Sequence, residues 1–197
     1  MMKELEIETH PLKPFVPENA TLLLLGSFPP PRQKWKMDFY YPNFQNDMWR
    51  IFGLIFFNDK DSFLNEEKTS FDKERIVSFL TEKGIAVTDT ARQVIRKKQN
   101  ASDNFLEVVK PFDLEKIVAE IPLCRTLVTT GAKATETLQW LLPELYKGPA
   151  VGRSIEITYH GRPFHFYRMP SSSRAYPKPL IEKATVYARL FEEAGIL

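Results

Sequence analysis

The stretch "ATLLLLGS", residues 20–27, decides the fold that we predict for this chain. Four consecutive leucines stand between Thr21 and the turn residues Gly26 and Ser27. An apolar run of this length between turn residues is typical of a strand that is covered on both faces. Such strands belong to parallel sheets, which need helices on both sides. The stretch therefore predicts the buried centre of an α/β protein.

Further segments on the C-terminal side of this strand alternate between strand and helix. The predicted elements are a helix over residues 72–84, a strand over 85–90, a helix over 113–122, a strand over 126–131, a helix over 132–145, a hairpin over 154–170 and a helix over 178–195. The second arm of the hairpin is placed to join the main sheet. The alternation predicts one α/β domain over residues 1–197, a three-layer α/β/α sandwich with a central, mostly parallel sheet.

The composition is that of a globular protein, with 43% hydrophobic and 26% charged residues. The net charge of +2 does not by itself predict a nucleic-acid partner. There is no apolar run near the roughly 18 residues of a membrane span, and "MMKELEIETH" lacks the apolar core of a signal peptide. We therefore expect a cytoplasmic protein with no membrane partner. The single cysteine, Cys124, forms no internal disulfide and is predicted to be a buried apolar residue.

Several classes of active site are disfavoured by the motifs. The three histidines, His10, His160 and His165, are scattered without a cysteine or carboxylate at ligand spacing, so we expect no metal and no cofactor. The segment "GSFPPP" lacks the spaced glycines and the Gly-Lys-Ser/Thr ending of a phosphate loop. No G-x-S-x-G elbow indicates a serine hydrolase.

Two loops at the predicted carboxyl edge of the sheet carry the polar residues that a site needs. The first, over residues 38–49, mixes aromatic rings with the side chains of Asn43, Gln45, Asn46 and Asp47. It is suited to stacking on a flat ring, although its rings can equally cap the core. The second, "MPSSSRAYP", offers three serine hydroxyls and Arg174, which are suited to phosphate contacts.

Five segments in order, "LLLLGSFPP", "FYYPNFQNDMWRIFG", "GIAVTDTARQ", "VTTGAKATE" and "RMPSSSRA", resemble the uracil-DNA glycosylase superfamily over residues 20–195. The resemblance is greatest to the branch of hypoxanthine-DNA glycosylases, near the mismatch-specific enzymes. Most of the superfamily has an Asp or Asn where this chain has Phe28. The hypoxanthine branch uses an asparagine in a Pro-Arg-Asn-x-Phe-Trp segment, onto which "FQNDMW" maps Asn46 and Trp49. Its final motif likewise lacks the usual histidine, and here Met169 holds that place.

The resemblance implies a monofunctional DNA glycosylase that hydrolyses the N-glycosidic bond of a deaminated base, uracil or hypoxanthine, after flipping the nucleotide from DNA. Asn46 is implied to orient the water, with Asp47 as a helper and Asp38 as another candidate. The implied base-binding residues are Gly26, Ser27, Phe28, Tyr41, Trp49 and Asp89. The implied DNA contacts are Ser171, Ser172, Ser173 and Arg174.

We expect a monomer whose partner is double- or single-stranded DNA with a damaged base. Two alternatives remain open at this stage. The chain could be a catalytically weak or inactive DNA-binding module on the same fold, or a hydrolase of free nucleosides. Asp89 also has a purely structural interpretation, as a capping or salt-bridged carboxylate.

Overall fold

The leucine-rich stretch forms an interior strand, second from one edge, of a five-stranded sheet. A computed structural model describes residues 6–98 and 102–197 of the chain. Strand β2 (Leu22–Gly26) is buried at every position, as predicted. It pairs in parallel with β3 (Ile85–Asp89) on one side and with β6 (Thr126–Thr130) on the other. The predicted strands at these three places are confirmed.

The remaining two strands of this sheet come from the predicted hairpin. Strands β7 (Arg153–Tyr159) and β8 (Arg162–Met169) pair antiparallel, and β8 joins the sheet by a parallel ladder with β6. His160 and Gly161 both have positive φ, +48° and +76°, which suits a tight two-residue turn. The strand order is β3-β2-β6-β8-β7, with three parallel pairs and one antiparallel pair among the described strands.

Helices cover both faces of β2. Leu22 and Leu24 pack in a core cluster with side chains of α1 (Met48–Phe57), α2 (Lys73–Lys83) and α5 (Leu180–Glu193). The alternate residues Leu23 and Leu25 pack with α3 (Leu114–Glu120) and α4 (Ala132–Trp140). Successive side chains of a strand point to opposite faces, so one leucine run serves two cores. The predicted α/β class is confirmed.

Local signals set most of the helix ends. Asp72 and Asp113 cap α2 and α3 by accepting hydrogen bonds at 3.0 Å from the backbone three residues on. Gly84 ends α2 with φ +65°, as the predicted glycine cap requires. Helix α4 ends at Trp140, short of the predicted residue 145, because Pro143 disfavours helical geometry before it. Helix α1 was not among the predicted elements.

A second sheet was also missed by the sequence prediction. Strands β1 (Ile7–Thr9), β4 (Ala91–Arg96) and β5 (Leu106–Pro111) pair antiparallel in the order β1-β4-β5. Arg96 donates at 2.9 Å to Glu8 across β1 and β4. Phe15, farther along the N-terminal segment, exchanges two backbone hydrogen bonds with Val87 of β3. Across the described ranges, no helix has the length and apolarity that crossing a membrane requires.

Candidate functional site

A cavity of about 670 Å³ lies where the carboxyl ends of four parallel strands meet. Its lining includes Gly26, Asp89, Thr130 and Met169, the last residues of β2, β3, β6 and β8. The two polar loops that the sequence places at this edge both contribute to the lining of the cavity. Ligands of open α/β sheets bind at this edge, which makes the cavity the candidate site.

Gly26, Asp89 and Tyr41 form the most closely packed corner of the cavity. A Cβ atom on Gly26 would overlap the Oδ1 atom of Asp89, so only glycine fits at this end of β2. Tyr41 has φ +52°, an uncommon backbone conformation for a non-glycine residue, and its hydroxyl lies 3.1 Å from Thr130 Oγ1. Burial, together with the nearby Asp89, raises the pKa of Tyr41 well above its ordinary value. Its phenol is therefore neutral near pH 7.

Asp89 is held by a histidine that the sequence analysis did not connect with the site. His10 Nε2 lies 2.8 Å from Asp89 Oδ2, and both side chains are more than nine-tenths buried. The His10 ring packs edge-on against Phe28 and is tilted towards Tyr40. The two partners are 79 residues apart in the chain, and no spacing rule links them. Close packing against Gly26 on the Oδ1 side and the contact between Asp89 Oδ2 and His10 Nε2 fix the orientation of the Asp89 carboxyl.

Asn46 lies at the cavity where the aromatic segment meets the serine-rich loop. Its backbone forms an antiparallel bridge with Ser173, and both residues line the cavity. Its Oδ1 atom accepts a hydrogen bond of 2.9 Å from the backbone N–H of Met48, the first residue of α1. The side chain is thereby held against the helix start, beside the space that a ligand would occupy.

The structure corrects the assignment of Asp47 as a catalytic helper. Asp47 is 6% exposed, does not line the cavity and has both carboxylate oxygens in ion pairs. Arg174 Nε lies 2.9 Å from Oδ1, and Lys183 Nζ lies 3.3 Å from Oδ2. Its backbone N–H also donates to Ser172 O at 2.9 Å. Asp47 therefore ties the serine-rich loop and α5 to the segment that carries Asn46.

The structure also corrects the assignment of Trp49 as a base-binding residue, and it places Asp38 outside the cavity lining. Trp49 is fully buried at 0% exposure, packs against Phe39, Phe52 and other rings, and donates its indole N–H to Tyr40 O at 3.1 Å. It forms part of the core beneath α1 and cannot contact a base. Asp38 is exposed, pairs with Arg32 at 2.9 Å and does not line the cavity.

The serine-rich loop supplies one side of the cavity. Ser171, Ser172, Ser173 and Arg174 all line it, although Ser172 itself is 3% exposed. Arg174 also donates to Gln45 Oε1 at 2.9 Å, and its side chain keeps 45% of its exposure. From the described part of the chain, the cationic side chains at the cavity are those of Lys133, Arg168 and Arg174.

A carboxyl group that the sequence did not single out also lines the cavity. Asp103, in the connection between β4 and β5, accepts a hydrogen bond of 2.8 Å from Ser27 Oγ. Burial, with a smaller contribution from the nearby Asp89, raises the pKa of Asp103 to about 6, although the Ser27 hydroxyl and the cations Lys133 and Arg96 oppose this rise. Asp103 stands in a polar stretch that matches no motif, so only the fold reveals its position.

The candidate site is a cavity lined by carboxyl, amide, phenol and hydroxyl side chains. Within residues 6–98 and 102–197, no three His, Cys, Asp or Glu side chains gather in a way that could hold a metal ion. Cys124 lies away from the cavity, fully buried, and burial raises the pKa of its thiol to about 11. The predicted structural role of this cysteine is confirmed.

Comparison with known proteins identifies a fold but not a family. No family model matches the sequence, and no curated protein matches it. Among solved structures, the chain is similar to the solution NMR structure of a candidate uracil DNA glycosylase from Methanosarcina acetivorans. The sequence identity is 19%, the TM-score is 0.64, and the match covers 96% of this chain and 99% of the other. The likeness shows that the two chains share one α/β fold over nearly their whole lengths.

Proposed function

We propose that the protein is a DNA glycosylase that hydrolyses the N-glycosidic bond of a deaminated base, uracil or hypoxanthine, as in base excision repair. The observation that carries the proposal is the cavity in which Asn46, Asp89 and Tyr41 meet at the carboxyl ends of parallel strands. A site of this kind has room for an extruded nucleotide and polar groups for its edges. The fold likeness to the candidate uracil DNA glycosylase supports the same class of activity.

We further propose that the chain acts as one domain, a three-layer α/β/α sandwich with a mostly parallel central sheet. The two core clusters on opposite faces of β2 support this description. Phe28 at the first loop and Met169 before the last loop support a place in the hypoxanthine branch, because the resemblance to that branch includes both departures. The substrate is then DNA that contains a damaged base.

The proposed reaction develops positive charge on the sugar and negative charge on the departing base. Asn46 is proposed to orient the attacking water, since its amide is fixed beside the cavity by the bond to Met48 N. Backbone N–H groups of Ser27 and Phe28, which line the same cavity, are proposed to donate to the base as its charge develops. Tyr41, neutral and held in place by Thr130, is proposed to pack against the flat ring.

The deciding experiment is a panel of duplex and single-stranded oligonucleotides that carry uracil, hypoxanthine, xanthine or a thymine mismatch. Release of free base, scored as abasic sites, supports the proposal. Binding to the damaged strands without any release would instead identify a DNA-binding module. Release from free deoxyuridine or deoxyinosine but not from DNA would identify a nucleoside hydrolase.

Replacing Asp89 with asparagine is expected to weaken discrimination between deaminated and normal bases. An ionised carboxylate only accepts hydrogen bonds, so it favours uracil and hypoxanthine, which present an N–H where cytosine and adenine present an acceptor. Placing the ring acceptor of cytosine or adenine against the carboxylate oxygen, with no proton between them, costs about 1 to 3 kcal/mol. This cost corresponds to roughly tenfold to hundredfold rejection of the normal bases. Asparagine can rotate its amide to donate, so this ratio should fall. Rates of excision of the four bases by both proteins measure the change.

The control for this variant is His10→Gln, which changes the partner of Asp89 and leaves the carboxylate in place. It should retain the preference for bases with an N–H, even if its total rate falls. An unchanged preference in Asp89→Asn would show that base recognition comes from other groups, such as the backbone at Ser27 and Phe28.

Replacing Arg174 with alanine is expected to weaken binding to DNA of every sequence and to reduce the slope of log affinity against log salt by about one unit. The physical reason is the loss of one cation at the rim of the cavity, where a phosphate would lie. Titrations of a fluorescent duplex at several salt concentrations measure both quantities. Arg75→Ala, which removes an exposed arginine of α2 away from the cavity, should leave the slope unchanged. Equal slopes in the two variants would remove Arg174 from the DNA contact.

A further inference from the structure

The cavity contains two carboxyl groups that come from different parts of the chain. Asp89 ends β3, and Asp103 lies in the connection between β4 and β5, so the second sheet brings Asp103 to the edge of the first. The two groups are near enough for Asp89 to influence the titration of Asp103. A site with two carboxyl groups can give them different roles when their surroundings differ.

The partners of the two carboxyl groups are different. Asp89 is occupied by His10 at 2.8 Å and packs against the Cα of Gly26. Asp103 accepts from a neutral hydroxyl, that of Ser27, which leaves further acceptor capacity on its two oxygens. Among the residues that the structure describes, no cation forms a hydrogen bond with the Asp103 carboxyl. An acceptor of this kind at the lining of a cavity is suited to bind water and to take a proton from it.

We infer that Asp103 is the general base that removes a proton from the attacking water, an inference that rests on the proposed function. The oxygen of this water forms a bond to the sugar carbon C1′ while the bond from C1′ to the base nitrogen breaks. The electron pair of the broken bond leaves with the base. The water proton passes to the Asp103 carboxylate and then to the departing base or to solvent, which restores the carboxylate. No oxidant, reductant or further reactant is needed.

The electrostatic surroundings of Asp103 make its charge sensitive to pH. Burial and the neighbouring Asp89 raise its pKa to about 6, while Ser27, Lys133 and Arg96 oppose that rise. With this pKa, the Asp103 carboxyl is mainly protonated below about pH 6 and mainly ionised above it. The base form is therefore lost as pH falls, and the rate of base release should decline below about pH 6. At neutral pH the group is ionised and ready to accept a proton.

The test is the pH profile of single-turnover base release by the full chain on its best oligonucleotide substrate. Asp103→Asn should slow release by about 100-fold or more at pH 7.5 and abolish the acidic limb. Ser27→Ala removes the hydroxyl that favours the carboxylate, so the midpoint of the limb should move to higher pH. Glu107→Gln, which makes the same charge change at an exposed position of β5, should match the wild type in rate and midpoint.

Each outcome decides a separate point. An active wild type together with an Asp103→Asn variant of similar rate and unchanged acidic limb overturns the role of Asp103 and leaves the proposed function intact. A wild type that releases no base from any substrate overturns the proposed function and, with it, this inference. If Asp103→Asn does not fold, as judged by circular dichroism and thermal melting, the Ser27→Ala profile decides: a raised midpoint supports the role, and an unmoved midpoint overturns it.

Discussion

Replacing Asn46 with alanine is expected to reduce the single-turnover rate of base release by about 100- to 1000-fold. A fixed amide that positions a reacting group acts mainly in the transition state, and losing one such group typically has an effect of this size. Binding to damaged DNA should stay within a few fold of the wild type, because the remaining lining of the cavity is unchanged. Quench-flow or manual time courses at saturating protein, with a separate binding titration, measure the two quantities.

The structural role of Asn46 needs its own control. Asn46 Oδ1 accepts from Met48 N, so alanine should also lower the free energy of unfolding by about 1 kcal/mol. Asn46→Ser retains a short acceptor for that N–H but removes the amide, and it should recover stability without recovering activity. If Asn46→Ala keeps a rate within twofold of the wild type, Asn46 has no part in the chemistry, and attention moves to Asp103 alone.

Replacing Lys183 with methionine is expected to lower the free energy of unfolding by about 3 kcal/mol. Lys183 is 1% exposed, donates to Ser173 O at 2.8 Å and lies 3.3 Å from the buried carboxylate of Asp47. Removing one partner of a buried ion pair leaves the other charge and a carbonyl oxygen poorly compensated. Arg174 still contacts Asp47 and limits the loss. Urea denaturation at pH 7, followed by circular dichroism, gives the free energy.

The matched control is Lys178→Met, just before the same helix. Lys178 forms an exposed pair with Glu182 at 3.3 Å, and surface pairs of this kind contribute about 0.5 kcal/mol or less. Both variants replace a lysine by methionine, so the difference between their free energies of unfolding reports the effect of burying the Lys183 ammonium and its partners. A loss below about 1 kcal/mol in Lys183→Met would mean that water reaches Asp47 more easily than its 6% exposure indicates.

The parts of the fold that were predictable depend on local patterns. The leucines of β2 were recognisable because a short apolar run between turn residues is itself a strand signal. Gly84 and Asp113 marked helix ends through backbone chemistry that acts within a few residues. The second sheet was not recognisable, because β1 pairs with β4 across more than 80 residues and its few side chains alternate weakly. Charged residues in β1 and β4 interrupt the alternation of apolar and polar positions that would predict a strand.

The site was predictable where residues follow a strand and unpredictable where partners meet only in three dimensions. Gly26 and Asp89 end adjacent strands, so their place at the cavity followed from the sheet. Trp49 was misassigned because an aromatic residue near a site can serve the core as well as a ligand, and only burial separates the two. His10 and Asp103 carried no sequence signal, since each acquires its meaning from a distant partner, Asp89 or Ser27.

The N-terminal segment that carries His10 and Phe15 completes both the candidate site and one edge of the large sheet. A fragment that began at Ala20 would still contain all five strands of the large sheet. It would lack the histidine that orients Asp89, and it would leave the backbone of Val87 on the edge strand β3 without the two hydrogen bonds that it exchanges with Phe15. An uncovered edge strand invites pairing between molecules. Loss of this segment should therefore disturb the candidate site and promote aggregation together, although it removes no strand of the large sheet.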